Sequence, residues 1–270
     1  MTLSERHNVT VRGSGEPTLF FSHGFGCDQS MFRQMVPAFS EEYRTITYDM
    51  AGANAYTAGD FRPERYTDLD AYARDAINIL DELEEKSVVF IGHSVSAMIG
   101  VLVANARPDL VDSLVLIGPS PRYINDGEYV GGFSKEDIDE LLETMADNYL
   151  GWSRAMAPAI MGNADRPHLG EELTSGFCKT DPDAARQFAA VTFRGDNRED
   201  LAKLRQPALV IQATEDIIAA ENVGRYVAAN VANGHFRLIE ARGHCPHMSA
   251  PEATNAAVRE FLAGRYAPAV

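Results

Sequence analysis

Ile91-Gly92-His93-Ser94-Val95-Ser96-Ala97 decides the fold, because it joins the end of an apolar run to the start of a helical pattern. The run before it, Val88-Val-Phe-Ile91, is apolar on both faces, as expected of a strand covered by helices on each side. Residues 95–106 then carry helical spacing. A serine at such a junction can occupy a sharp strand-to-helix turn, with its hydroxyl above the sheet edge. The positive end of the helix dipole lies beside it and favours developing negative charge. Small flanking residues suit a turn in which strand and helix backbones approach closely. The usual pattern is G-x-S-x-G, and Ser96 stands here at the last glycine position. A helix N-cap serine is the competing structural reading, so the context argues for chemistry more than the motif does.

Working outward, candidate strands are Thr18–Ser22, Thr45–Tyr48, Ser87–Ile91, Ser113–Ile117, Ala208–Gln212 and Phe236–Glu240. Between them lie helical patterns over 67–84, 95–106, 219–231 and 251–263. This alternation predicts an α/β fold with a mostly parallel central sheet and helices on both faces. It breaks once. From Pro119 to Gln206 no strand pattern appears, and helical stretches run near 134–150, 152–161, 168–178 and 182–192. The expected organisation is a core of residues 1–118 and 207–270, with residues 119–206 as a helical cap inserted between strands. The tail Gly264–Val270 is expected to fray.

A serine hydroxyl needs a base and an acid that orients the base. His244, in Ala241-Arg-Gly-His-Cys-Pro-His247, follows the last strand, and Asp216, in Ala213-Thr-Glu-Asp-Ile217, follows the strand before it. The chain order Ser94, Asp216, His244 is that of α/β-hydrolases, and each member falls at the end of a predicted strand. Glu215 is the alternative acid and His247 the alternative base. Cys245 admits a thiol nucleophile or, with the two histidines, a metal site; without further clustered ligands, the zinc reading is weak and no metal is expected. The loop His23-Gly24-Phe25-Gly26 can turn a backbone N–H toward the serine, so the Phe25 and Val95 amides are the expected oxyanion donors. His23 reads as an organiser of that loop. Gly24-Phe-Gly26 lacks the third glycine of a dinucleotide fingerprint, and no cofactor is expected. Phe25, Phe133, Trp152 and Phe193 are expected to line an apolar substrate pocket under the cap.

With 24 Lys+Arg against 39 Asp+Glu, the chain of 270 residues carries a formal charge of −15. Such acidity repels phosphate backbones and anionic lipid headgroups, which argues against nucleic-acid and membrane binding. The first residues show no signal-peptide pattern, and three scattered cysteines, Cys27, Cys178 and Cys245, do not form a disulfide framework. A cytoplasmic location is the expectation.

His23-Gly-Phe-Gly26, Gly92-His-Ser-Val-Ser-Ala-Met-Ile-Gly100, Gly118-Pro-Ser-Pro-Arg-Tyr-Ile-Asn-Asp126, Gly131-Gly-Phe133, Asn148-Tyr-Leu-Gly-Trp152 and Gly243-His-Cys-Pro-His-Met248 together resemble the RsbQ-type α/β-hydrolases. That group includes the bacterial energy-stress regulator RsbQ and the plant strigolactone and karrikin receptors. The resemblance runs over about residues 8–263. It implies a Ser94–Asp216–His244 triad, a Phe25 and Val95 oxyanion hole, and a four-helix V-shaped cap over a small hydrophobic pocket. By motif position it adds Tyr123 to Phe133, Trp152 and Phe193 as pocket residues. It implies a small apolar ester or lactone ligand and a sensor role through a signalling protein partner as the rival to metabolic hydrolysis. One segment departs: where such hydrolases carry Asp-x-x-Gly-x-Gly-x-Ser, this chain has Asp49-Met-Ala-Gly52-Ala-Asn54-Ala-Tyr56. Asn54 is expected to preserve the turn by adopting positive φ.

Overall fold

A computed structural model describes residues 2–266 of the protein. Seven strands form one sheet: β1 (Thr10–Arg12), β2 (Thr18–Ser22), β3 (Thr45–Thr47), β4 (Val88–His93), β5 (Val111–Ile117), β6 (Ala208–Glu215) and β7 (Gly234–Arg242). Their order is β1-β3-β2-β4-β5-β6-β7, with β1 antiparallel to β3 and every other pair parallel. The α/β-hydrolase fold expected from the sequence is the one observed. β1 was not anticipated, because its three residues form an edge with no apolar run to mark them. The central strands β2 and β4 are buried along their whole length, which is why they read as continuous apolar runs.

Alternate side chains along each strand enter different cores. Phe20, Phe90, Leu114 and Val210 pack on one face with the helices Leu69–Glu82 and Val95–Ala106. Leu19, Phe21, Val89, Ile91, Val115, Ile117 and Ile211 pack on the other with Val258 and Leu262 of the last helix. The last helix spans Pro251–Tyr266, so the tail expected to fray is helical from Gly264 to Tyr266, and its residues 267–270 lie outside the described residues. No helix among the described residues is long and apolar enough to cross a membrane.

Between β5 and β6 the chain forms the helices Lys135–Asp147, Tyr149–Met161, Pro167–Lys179 and Pro182–Arg194. Local chemistry sets their starts. Ser134 and Asp137 form a capping box, Asp181 accepts from the Asp183 and Ala184 N–H groups, and prolines occupy the first turns at 167 and 182. The expected boundary near residue 150 moves to Asn148, whose side chain accepts from Gly151 N at 2.9 Å and so claims Tyr149–Gly151 for the second helix.

The Asp49–Tyr56 turn survives by another route than the one expected. Asn54 is not among the residues at positive φ; Gly52 is, at +81°. The Asn54 side chain instead donates to Asp49 Oδ2 at 2.9 Å and accepts from the Tyr56 and Thr57 N–H groups. An Asx turn thereby replaces the conformational freedom of a second glycine.

Candidate active site

The C-terminal ends of the parallel strands carry the candidate residues. Ser94 follows β4 directly, and its backbone sits at φ 56°, ψ −123°, a strained conformation that lifts its hydroxyl out of the turn. The bend forces strand and helix together: a Cβ at Gly92 would stand 2.3 Å from Ser96 O. Ser96 itself is fully buried and donates its hydroxyl to His23 O, tying the elbow to the β2 loop.

Asp216, one residue past β6, and His244, two residues past β7, reach the same point. His244 Nε2 lies 2.7 Å from Ser94 Oγ, and His244 Nδ1 lies 2.7 Å from Asp216 Oδ2. The structure thus brings Asp216 to the histidine, whereas Glu215 is exposed and pairs with Arg242 at 3.3 Å. Burial by itself would raise the Asp216 carboxyl. The His244 charge and hydrogen bond, with the Ala219 and Ile218 N–H groups, outweigh it and hold the carboxyl below its ordinary value. Asp216 therefore stays ionised and fixes the Nδ1–H tautomer, leaving Nε2 free to accept the serine proton.

Neighbouring loops hold the base in place. His93 Nε2 donates to His244 O at 2.9 Å, and His244 N donates to Ile160 O at 2.9 Å. Gly243, at φ +82°, passes so near the end of the Tyr149–Met161 helix that a Cβ would meet Met161 O at 1.9 Å. His247 is not at the base position. It is fully buried, its ring lies 4.6 Å from that of His93, and neither of its nitrogens has a hydrogen-bond partner among the described residues. Burial, aided by His244, pushes its pKa down to about 3, so it is a neutral packing residue.

Neither the Phe25 nor the Val95 N–H donates to another group among the described residues, although Val95 is buried. Both N–H groups are thus without a protein acceptor among the described residues. His23 organises its loop as expected: its Nε2 accepts from Met50 N at 3.0 Å, so Nδ1–H donates to Gly24 O at 3.0 Å.

Above Ser94 lies a cavity of about 40 Å³ walled by Phe25, Tyr123, Trp152, Met156, Ile160, Leu173, Phe177, Phe193 and Ile218, with Cys27, Leu141, Thr192 and Cys245. Phe25 is the hub, its ring 6.3 Å from Trp152, 5.7 Å from Phe177 and 6.1 Å from Phe193. Tyr123 stacks edgewise on Phe193 at 5.0 Å. Phe133 is a correction to the expected lining. It stands outside this wall, half-buried, and its N–H donates to Tyr123 O at 3.2 Å. It pairs with Ile124 and so braces the turn that delivers Tyr123. Cys27 and Cys245 were missed as wall residues; their adjacency to Phe25 and His244 was the available signal. Burial pushes both thiols up, so neither has the character of an activated nucleophile. Among the described residues no group of three His, Cys, Asp or Glu side chains is placed to hold a metal.

A family model described as the alpha/beta hydrolase family matches residues 19–257 of this chain. The chain belongs to the alpha/beta hydrolase family. Within it, the protein is 38% identical to the karrikin insensitive 2 receptor CA of Petunia hybrida over 251 residues, 93% of each chain. It is 37% identical to the strigolactone esterase RMS3 of Pisum sativum over 246 residues, 90% of this chain and 92% of that one. Among solved structures, that of olei00960, a hydrolase from Oleispira antarctica, superposes with a TM-score of 0.93 at 38% identity, covering 96% of both chains. At this hydrolase's departure over Asp49–Tyr56, Asp49 accepts from Gln29 N at 2.8 Å and from Asn8 Nδ2 at 2.8 Å.

Proposed function

We propose that this alpha/beta hydrolase cleaves a small hydrophobic ester or lactone through an acyl-enzyme, with Ser94, His244 and Asp216 as its triad. The observation that carries this reading is the unbroken hydrogen-bond path from Ser94 Oγ through His244 to Asp216, both links 2.7 Å. In the first half-reaction His244 Nε2 takes the Ser94 proton as Oγ bonds to the carbonyl carbon. The carbonyl oxygen becomes an anion facing the Phe25 and Val95 N–H groups. Collapse breaks the ester bond, and the leaving oxygen takes the proton from His244. Water then repeats the sequence on the acyl-enzyme, with His244 as base, and Ser94 recovers its proton. No cofactor takes part in these steps.

Residues 119–206 serve in this reading as the cap, and residues 1–118 and 207–270 as the core. The cavity of about 40 Å³ is smaller than the roughly 150 Å³ that admits benzene, so the closed form accepts short acyl groups and longer ones require cap movement. The acidic surface and the lack of a spanning helix among the described residues fit a cytoplasmic protein acting away from membranes and nucleic acid.

A second reading makes the protein an RsbQ-like sensor that hydrolyses slowly and signals through a protein partner. It is favoured by relatives whose names include "receptor" beside others named "esterase". Turnover of short-chain p-nitrophenyl esters and a butenolide, measured for wild type and Ser94→Ala with intact mass at early times, separates the readings. Fast multiple turnover lost in the variant supports the hydrolase. One slow turnover with a persistent adduct supports the sensor. Equal rates in both proteins remove Ser94 as the nucleophile.

A further inference from the structure

Among the described residues, the Asp216 carboxylate accepts from four groups. The Ile218 and Ala219 N–H groups donate to Oδ1 at 2.8 and 3.1 Å, while His244 Nδ1 and Gln212 Nε2 donate to Oδ2 at 2.7 and 3.1 Å. Gln212 lies on β6, four residues before the acid. It is fully buried in the stretch Ala208-Leu-Val-Ile-Gln-Ala213, where its neighbours along the strand are apolar. Its Nε2 also donates to Ala219 O. Both groups facing Nε2 are acceptors, which fixes the orientation of the amide, since the flipped amide would set an oxygen against each. Gln212 Oε1 is buried without a partner among the described residues. Gly224, inside the helix Glu221–Asn230, leaves the amide its room: a Cβ there would stand 2.8 Å from Oε1 and 3.2 Å from the Gln212 Cβ. An unpaired buried carbonyl and a glycine inside a helix both cost stability, so a glutamine kept at this point of an apolar strand demands a reason.

The reason lies at the acid. Backbone amides pin Oδ1, but Oδ2 otherwise has, among the described residues, only the imidazole that it orients. Gln212, carried by a strand, gives that oxygen a hold independent of the base. We infer that Gln212 is a positioning residue for the catalytic acid, whose Nε2–H aligns Asp216 Oδ2 with His244 Nδ1 and offsets part of the carboxylate charge. The offset has a sign. The positive end of the amide weakens the carboxylate field at the imidazole, so removing it favours the imidazolium and raises the pH at which His244 titrates. The other titratable groups around the pair do not compete. Burial keeps His93 and His247 neutral by pushing their pKa values down, and keeps Tyr123 and Cys245 neutral by pushing theirs up. Glu215 and Arg242 are exposed and pair with each other. The inference rests on the proposal that Ser94, His244 and Asp216 form the working triad.

Titration of His244 tests it without need of turnover, followed by nuclear magnetic resonance on protein carrying nitrogen-labelled histidine. The His244 signal is assigned by its loss in His244→Gln. Gln212→Met nearly keeps the volume and removes the donor, and it is expected to raise the His244 midpoint by about 0.5 to 1 pH unit. Gln212→Asn keeps an amide but draws it back by one methylene. It is expected to move the midpoint the same way, and it decides the matter if the apolar variant fails to fold. Above all of these midpoints, kcat for p-nitrophenyl acetate is expected to fall about tenfold in either variant, with KM unchanged within about twofold. A midpoint unmoved within about 0.2 unit in a folded variant overturns the inference whatever the rate, because loop packing alone would then explain Gln212. A kcat unchanged within about twofold overturns it as well. Ser94→Ala is run alongside. Turnover retained there, or none in the wild type, defeats the hydrolase reading alone and leaves Gln212 to be judged by the titration. Turnover lost there with an unmoved midpoint defeats the Gln212 inference alone.

Discussion

At the sheet edge Ser94, His244 and Asp216 are joined by hydrogen bonds of 2.7 Å, whereas across the cavity Phe25 meets Trp152, Phe177 and Phe193 through ring contacts of 5.7 to 6.3 Å. Directed bonds on buried loops tolerate almost no displacement. The elbow shows why: Gly92 and Gly243 are both places where one added carbon would collide with backbone. The aromatic wall is held by dispersion and exclusion of water, which are spread over many atoms and change gradually with shape. In the proposed mechanism, reactivity is therefore concentrated on one side of the cavity, and ligand choice is distributed over the other.

Replacing the acid is the sharpest way to break that comparison. Asp216→Asn keeps the shape but frees the imidazole to take the wrong tautomer, and kcat is expected to fall on the order of 10⁴-fold with an unchanged circular-dichroism spectrum. Retained activity would mean that the sheet edge does not act as a unit. On the wall, Phe193→Ala removes a ring that is 7% exposed and touches both Phe25 and Tyr123. Its expected cost is about 3–5 kcal/mol in urea unfolding, together with acceptance of longer acyl chains at a lower kcat/KM for short ones. A loss of activity as large as that of the acid variant would erase the distinction between the two sides.

The smallest effect concerns the buried histidine behind the base. The folded pKa of His247, about 3, is below its ordinary 6.5, so the unfolded chain takes up the proton first as pH falls. The stability linked to His247 is thus complete above about pH 6.5 and is lost as pH drops toward 3, at up to about 1.4 kcal/mol per pH unit. His247→Leu is expected to flatten the wild-type loss between about pH 7 and about pH 5, read from urea midpoints. An equally steep variant would show that His247 does not titrate on unfolding.

Much of the sheet edge was legible because its signals are local. Apolar runs marked β2, β4 and β5, and the serine, acid and histidine motifs each sit next to a strand end. The departures came where side chains settle geometry that the backbone pattern leaves open. Asn148 moved a helix boundary by capping, and Asn54 kept a turn with its amide, not with positive φ.

What the residue order by itself determined is the alternation of strands and helices, the place of the insertion, and the chain order Ser94, Asp216, His244, since each depends on neighbours a few positions apart. Only the tertiary structure decided that Asp216 and not Glu215 meets His244, that Phe133 braces a turn while Cys27 lines the cavity, and that the closed space is as small as about 40 Å³. The reason is physical. Helical spacing fixes which side of a helix is apolar, but the residues that share a cavity are chosen by how distant helices pack, and that packing depends on shape across the whole chain.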